Sequence, residues 1–165
     1  MNGETPDFLK ILSTLLKDHV DFIVVGGVCA VLHGAPVSTF DLDLVHARDP
    51  ENIRRLLIAL DRLQARYRSA GGRDLHPTAA HLQSAGHQLL MTSAGPLDLS
   101  GEIGAGWGFN ELLAQTESCP LAPGITVRLL SLEMLIPTKV EADREKDRVV
   151  LAILRGTLAE KRRRE

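Results

Sequence analysis

Phe22-Ile23-Val24-Val25-Gly26-Gly27, followed by Thr39-Phe40-Asp41-Leu42-Asp43-Leu44, is the stretch on which the reading of this chain turns. The first four residues are apolar and three of them are β-branched, which predicts a short strand buried on both faces. It runs into a glycine pair, and Val28 to Leu32 then read as a short helix closed by Gly34. A buried strand that turns through glycines into a helix leaves backbone N–H groups pointing outward, an arrangement suited to phosphate. From Phe40 to His46 leucine alternates with aspartate, the period of a strand. Asp41 and Asp43 then share one face, with Cα atoms roughly 7 Å apart, while Leu42 and Leu44 point into the core. Two like charges on a half-buried strand are costly without a partner, and one hard divalent cation is the simplest partner.

Outward from this segment the chain alternates helical and strand patterns. Thr5-Pro6-Asp7 predicts a helix start, with Phe8, Ile11, Leu12, Leu15 and Leu16 on one face. Asp49-Pro50 starts a second helix whose apolar stripe is Ile53, Leu56, Leu57, Leu60 and Leu63. Residues 69–86 read as irregular. Gln88 to Thr92 and Leu97 to Ser100 predict two strands joined by a turn at Ala94-Gly95-Pro96. Asp98 alternates with Leu97 and Leu99, so it stands on the polar face of its strand. If that strand lies beside the Asp41–Asp43 strand, about 4.8 Å away, three carboxylates converge. Such a cluster suits metal-assisted phosphoryl or nucleotidyl transfer. Gly104 to Gly108 read as a loop, Asn110 to Thr116 as a helix and Ile125 to Leu129 as a last strand. Helices follow from Ser131 to about Leu158, and the basic tail is expected to fray. Hairpin and crossover connections together predict an α/β or α+β fold with a mixed central sheet flanked by helices.

Composition narrows the classes. The chain has 165 residues, 44% hydrophobic and 24% charged, which excludes disorder and fits one domain. A net charge of −2 provides no global attraction to nucleic acid or membrane. Aromatics are 4%, too few for a base-stacking platform. No apolar run reaches the roughly 18 residues of a membrane helix. The N-terminus lacks a basic leader, so a cytoplasmic protein is expected. Cys29 and Cys119 do not form a disulfide framework.

Taken together, the glycine pair, the Asp-x-Asp strand and the later lone aspartate resemble the DNA polymerase beta-like nucleotidyltransferase superfamily. The likeness is greatest to small bacterial minimal nucleotidyltransferases and the abortive-infection toxin group. In that group a strand ends in Gly-Gly and a helix ends in His-Gly, as at His33-Gly34. A Thr-x-Asp-Leu-Asp-Leu strand follows, and then Thr-x-x-Gly-x-Leu-Asp, matched by Thr92 to Asp98. The segment Ser131 to Ile136, with Lys139, Arg144, Lys146 and Asp147, resembles the closing helices. The resemblance spans residues 8–155. It implies one nucleotidyltransferase-like domain over 1–165, with C-terminal helices at 131–158 and a basic tail at 159–165.

The activity so implied is transfer of a nucleoside monophosphate from an NTP to a hydroxyl of an RNA, protein or small molecule, with magnesium or manganese as cofactor. Asp41, Asp43 and Asp98 are implied as metal-binding and catalytic residues. Gly26, Gly27, Thr39 and Lys139 are implied as nucleotide-binding, and Arg144 and Asp147 as ion-pairing with each other or with Lys139 to orient the helices. A tRNA or protein acceptor, and a homodimer or partner protein completing the cleft, fit the same picture. Two positions depart from the pattern. Val37 stands where many members carry arginine, and Pro137 predicts a kink just before Lys139. The alternative reading is a non-catalytic module of this fold in a toxin–antitoxin or nucleotide-sensing system; a weaker one is a metal-dependent phosphohydrolase. His76, His81 and His87 have no nearby Cys-x-x-Cys and read as loop histidines rather than a zinc site. His33 reads as packed at a helix end.

Overall fold

The computed structural model describes residues 5–142 and 145–165, with only the backbone of 140–142 and 145–147 considered. In chain order the elements are α1 (Phe8–Lys17), β1 (Phe22–Val25), α2 (Gly26–Leu32), β2 (Leu42–His46), α3 (Pro50–Arg62), β3 (Arg66–Tyr67), α4 (Ala79–Gln83), β4 (His87–Thr92) and β5 (Gly95–Ser100). A small hairpin of β6 (Glu102–Ile103) and β7 (Trp107–Gly108) comes next. It is followed by α5 (Phe109–Leu112), a 3-10 turn (Leu113–Gln115), β8 (Thr116–Ala122), β9 (Ile125–Leu130), α6 (Leu132–Ala142) and α7 (Glu145–Arg164).

Among the described residues, seven strands form one sheet in the order β3-β4-β5-β2-β1-β9-β8. β2 runs parallel to β5 and antiparallel to β1, while β1 runs parallel to β9, so the sheet is mixed as expected. β1 is buried at all four residues because it lies in the interior of the sheet with both faces covered. Leu42 and Leu44 of β2 and Leu97 and Leu99 of β5 are fully buried on the core face. Their pairing Leu42↔Leu97 and Leu44↔Leu99 is a shared apolar row. It fixes the register, because a one-residue slip would turn this row to solvent and the aspartates into the core.

A buried polar stitch holds the far end of this pair. Asn52, in the first turn of α3, is fully buried. Its Oδ1 accepts from the Asp21 N–H at 2.7 Å, and its Nδ2 donates to the carbonyls of Asp21 (3.1 Å) and Ala47 (2.8 Å). One side chain thus ties the entry of β1 to the exit of β2. Asp49 caps the same helix by accepting from the Asn52 N–H, as Asp49-Pro50 predicts.

Several local expectations change. The first helix starts at Phe8 with Asp7 as its cap. The Asp7 N–H is engaged by the Ala94 carbonyl at 2.8 Å and Pro6 packs on Gly95, so the residues before Asp7 serve the β4–β5 turn. A short strand, β3, precedes the irregular segment, which itself contains α4, and Gly104 to Gly108 span part of a hairpin. The helix expected over 110–116 is cut to one short turn plus the 3-10 turn, because Thr116 already belongs to β8. β8 is an edge strand whose Pro120 sits at a register irregularity, which hides its periodicity. Pro123-Gly124, with Gly124 at φ 77°, makes the turn into β9. The basic tail does not fray. α7 continues to Arg164, and Lys161 Nζ lies 3.3 Å from both Glu117 and His33, which gives the last turns a tertiary anchor.

Replacing Asn52 by Ala leaves buried backbone groups of Asp21 and Ala47 without partners, at a cost of about 2–3 kcal/mol. The expected result is a fall in thermal midpoint of roughly 4–12 °C. A denaturant titration giving a loss under about 0.5 kcal/mol would mean that β1 and β2 are held together elsewhere.

Candidate active site

The site grows from the register of three strands. Val25 at the end of β1 pairs with Asp43 of β2, and Asp43 pairs with Asp98 of β5. Paired residues share a face, so both carboxylates stand side by side, opposite the leucine row. Asp41 lies just before β2 rather than on it, since the strand begins at Leu42. Its backbone is held by Thr39, whose Oγ1 donates to the Asp41 carbonyl at 3.0 Å. One ligand atom from each of Asp41, Asp43 and Asp98 falls within 4.8 Å of the others. Among the described residues no other group of histidine, cysteine and acidic side chains converges in this way.

The glycine pair is packed directly against these groups. Gly26 has φ 67°, and a Cβ there would overlap the Asp43 carboxylate; a Cβ on Gly27 would sit 2.6 Å from Thr39 Oγ1. Both glycines are therefore required by close approach, and Gly26 also by its left-handed backbone. α2 starts at Gly26 with no side-chain cap on its first N–H groups.

Electrostatically the cluster is strained. Burial, reinforced by the charges of Asp41 and Asp98, pushes Asp43 well above the usual carboxylate range, and Lys139 pulls the other way. Asp98 is also raised, first by burial and then by a hydrogen bond with Asp41, against the opposing charge of Arg68. Oxygen-only donors in this number fit a hard divalent cation, which would relieve the repulsion. The three carboxylates could hold such an ion.

Two cavities flank the triad. One of about 320 Å³ is lined by Gly26, Gly27, Thr39, Phe40 and Asp41; the other, about 550 Å³, by His87, Ser100, Ile103 and Thr138. Asp43, Asp98 and Lys139 border both. Lys139 therefore reaches the site: α6 runs through Pro137 to Ala142, and the proline does not end it. Of the predicted site residues, Asp41, Asp43, Asp98, Gly26, Gly27, Thr39 and Lys139 are all brought together. Arg144 and the side chain of Asp147 lie outside the described residues.

Arg68 was not anticipated from the sequence. It follows the two-residue strand β3, and its Nη2 lies 2.7 Å from Asp98 Oδ1. Val37 borders the smaller cavity without a charge, and a guanidinium arrives instead from the sheet edge. His33 does pack at the end of α2. Its Nε2 lies 2.8 Å from the Leu130 carbonyl, and its Nδ1 accepts from Lys161 at 3.3 Å, which makes Nε2 the protonated nitrogen. His76, His81 and His87 are engaged separately, with the Ala65 carbonyl, the Thr78 N–H and Ser100 Oγ.

The raised Asp43 carboxyl binds its proton more tightly folded than unfolded. Between the unfolded and folded values the native state holds more protons, so stability falls as pH rises through that window. Asp43→Asn removes this penalty. In metal-free buffer its thermal midpoint should exceed that of the unchanged protein by a few degrees at pH 8, and the gain should shrink toward pH 5. A gain that is absent or independent of pH, measured by calorimetry, would mean that neither burial nor the neighbouring carboxylates raise Asp43.

No protein-family model matches the chain, and no curated protein matches it in sequence. Among solved structures it is similar to a crystal structure from Thermotoga maritima described as a "putative nucleotidyltransferase". The match has a TM-score of 0.55 and covers 93% of this chain and 91% of that one, at 17% identity. No helix among the described residues is long and apolar enough to cross a membrane. The protein has a nucleotidyltransferase-like fold: a mixed seven-stranded sheet flanked by helices, with helices at its C-terminal end.

Proposed function

We propose that the protein is a metal-dependent nucleotidyltransferase that moves a nucleoside monophosphate from an NTP to a hydroxyl acceptor and releases pyrophosphate. The observation that carries this reading is the convergence of Asp41, Asp43 and Asp98 beside the Gly26-Gly27 turn in a fold of this type. The three carboxylates would hold a divalent cation, magnesium or manganese. When bound, the ion supplies positive charge that neutralises the reacting phosphate.

The remaining work falls to the chain. The glycine pair keeps the turn free of side chains so that phosphates can approach the uncapped amides of α2. Thr39 fixes the backbone that presents Asp41. Lys139 borders both cavities and would provide positive charge for the triphosphate. The acceptor oxygen forms a bond to the α-phosphorus while the bond to pyrophosphate breaks, and Asp98 takes the hydroxyl proton. Triphosphate in the smaller cavity and acceptor in the larger would bring the acceptor oxygen and the α-phosphorus together at Asp43 and Asp98, which border both. Acceptors in keeping with this chemistry are a tRNA end, a protein hydroxyl or a small polyol.

Incubation with magnesium, labelled NTPs and RNA or protein acceptors tests the reading. Label transfer with pyrophosphate release is expected. Asp41→Asn, Asp43→Asn and Asp98→Asn should each lower it at least about a hundredfold, the effect of losing a few kcal/mol of metal-derived stabilisation. Nucleotide binding without turnover would identify a non-catalytic module, and inorganic phosphate release a phosphohydrolase. Binding provides a second test. Three carboxylates are too few for a tight magnesium cage, so metal and nucleotide should bind together. Magnesium alone should move the thermal midpoint little, NTP alone modestly, and the pair by more than the sum. Additive shifts would mean that the two do not share a site.

A further inference from the structure

Arg68 meets Asp98 in an arrangement that is built rather than incidental. β3 is a two-residue edge strand paired with β4 at Arg66↔Met91 and Tyr67↔Leu90, and the Arg68 N–H continues the ladder to the Leu89 carbonyl at 3.1 Å. Leu89 is in turn the partner of Asp98. Arg68 therefore falls on the face of the sheet that carries the carboxylates, one strand beyond Leu89. Its guanidinium is held at two points: Nη1 donates to the Leu90 carbonyl at 3.0 Å, and Nη2 lies 2.7 Å from Asp98 Oδ1. Both side chains are largely buried, at 23% and 14% exposure, so water screens the contact little. Asp98 Oδ1 is buried with no aligned hydrogen bond. The contact is thus a charge pair enforced by the Leu90 anchor. A lysine could not reproduce it, because a single ammonium on a flexible stem has no second nitrogen at a fixed angle.

Resting on the nucleotidyltransferase reading, we infer that Arg68 is a positioning residue. By holding Oδ1 it sets the torsion of the Asp98 carboxylate and leaves Oδ2 as the one oxygen offered to the cation and to the acceptor hydroxyl. A carboxylate free to rotate would offer either oxygen and could chelate with both. With Oδ1 held, Asp98 presents a single oxygen between the acceptor side and the Asp41–Asp43 side. Arg68 also keeps the third carboxylate in place before any cation arrives, when the charge of Asp41 would otherwise turn it away.

The effects of charge and of position on this pair have opposite signs, so they separate experimentally. Deleting a positive charge beside the cluster should favour cation binding, whereas losing the orientation should slow transfer. In Arg68→Gln, manganese affinity in the presence of a non-hydrolysable NTP, read by electron paramagnetic resonance, should be equal to or tighter than in the unchanged protein. The kcat for label transfer should fall by about tenfold or more, the effect of losing roughly 1.4 kcal/mol of transition-state stabilisation, with KM for NTP within about threefold. Arg68→Lys keeps the charge and should still transfer at least about threefold slower. In an Asp98→Asn background, Arg68→Gln should have no further effect on transfer.

Wild-type kcat in Arg68→Lys and Arg68→Gln would overturn the inference and leave the enzyme reading intact. So would a fall in transfer matched by an equal loss of manganese affinity, which denotes a general disruption of the site. Should Arg68→Gln not fold, the Arg68→Lys rate decides alone. If the unchanged protein neither binds manganese with nucleotide nor transfers label, the nucleotidyltransferase reading itself falls.

Discussion

The structure depends on how closely β1 approaches β2 where β1 ends. Gly26 lies against the Asp43 carboxylate at a distance that excludes any side chain, and Gly27 lies as close to Thr39. This contact brings the start of α2, the backbone that presents Asp41 and the Asp43 side chain into one small volume. The parallel pairing of β2 with β5 then adds Asp98. Three features fix this construction. The leucine row on the opposite face sets the register, the Asn52 stitch secures the far end of the two strands, and the glycines permit the contact.

Concentrating charge in this way works against stability. Three carboxylates share a partly buried space, opposed by Arg68 and Lys139. The elevated proton affinity of Asp43 and Asp98 reflects first their burial and then the nearness of the other carboxylates. The sheet tolerates it because the opposite face is a continuous aliphatic core, in which Leu42, Leu44, Leu97 and Leu99 are fully buried. Each strand thus carries stabilising and destabilising residues in alternation, and the alternation that reveals the site in the sequence is also what makes it affordable.

How far the sequence discloses the site follows from that alternation. The Leu-Asp pattern at 42–44 and 97–99, and the apolar run into Gly26-Gly27, follow strand periodicity and are legible. So is Lys139, whose reach into the site Pro137 does not prevent. Arg68 is not legible. It follows a strand of two residues, has no periodicity of its own and stands just before the stretch that reads as irregular; the pairing of β3 with β4 brings it to Asp98. β8 is hidden for a related reason, since an edge strand with a proline at an irregular register need not alternate. Asp41 shows a finer limit. Its spacing from Asp43 suggests a shared strand, whereas it stands one residue before the strand, placed by the hydrogen bond from Thr39. The anchored C-terminal tail depends on partners, His33 and Glu117, that are remote in sequence.

The two borders of the sheet have a consequence for how copies of this chain behave at high concentration. A sheet border with a long, regular row of unpaired amides is a template for aggregation. Here β3 is two residues long, and β8 carries Pro120 and a break in register. Each border thus shortens the regular run of donors and acceptors onto which a second chain could add strands. The protein can therefore keep a seven-stranded aliphatic sheet, with its high β-propensity, without that sheet propagating from one molecule to the next. Replacing the Pro120 irregularity with a regular β-former would remove that protection at the β8 border.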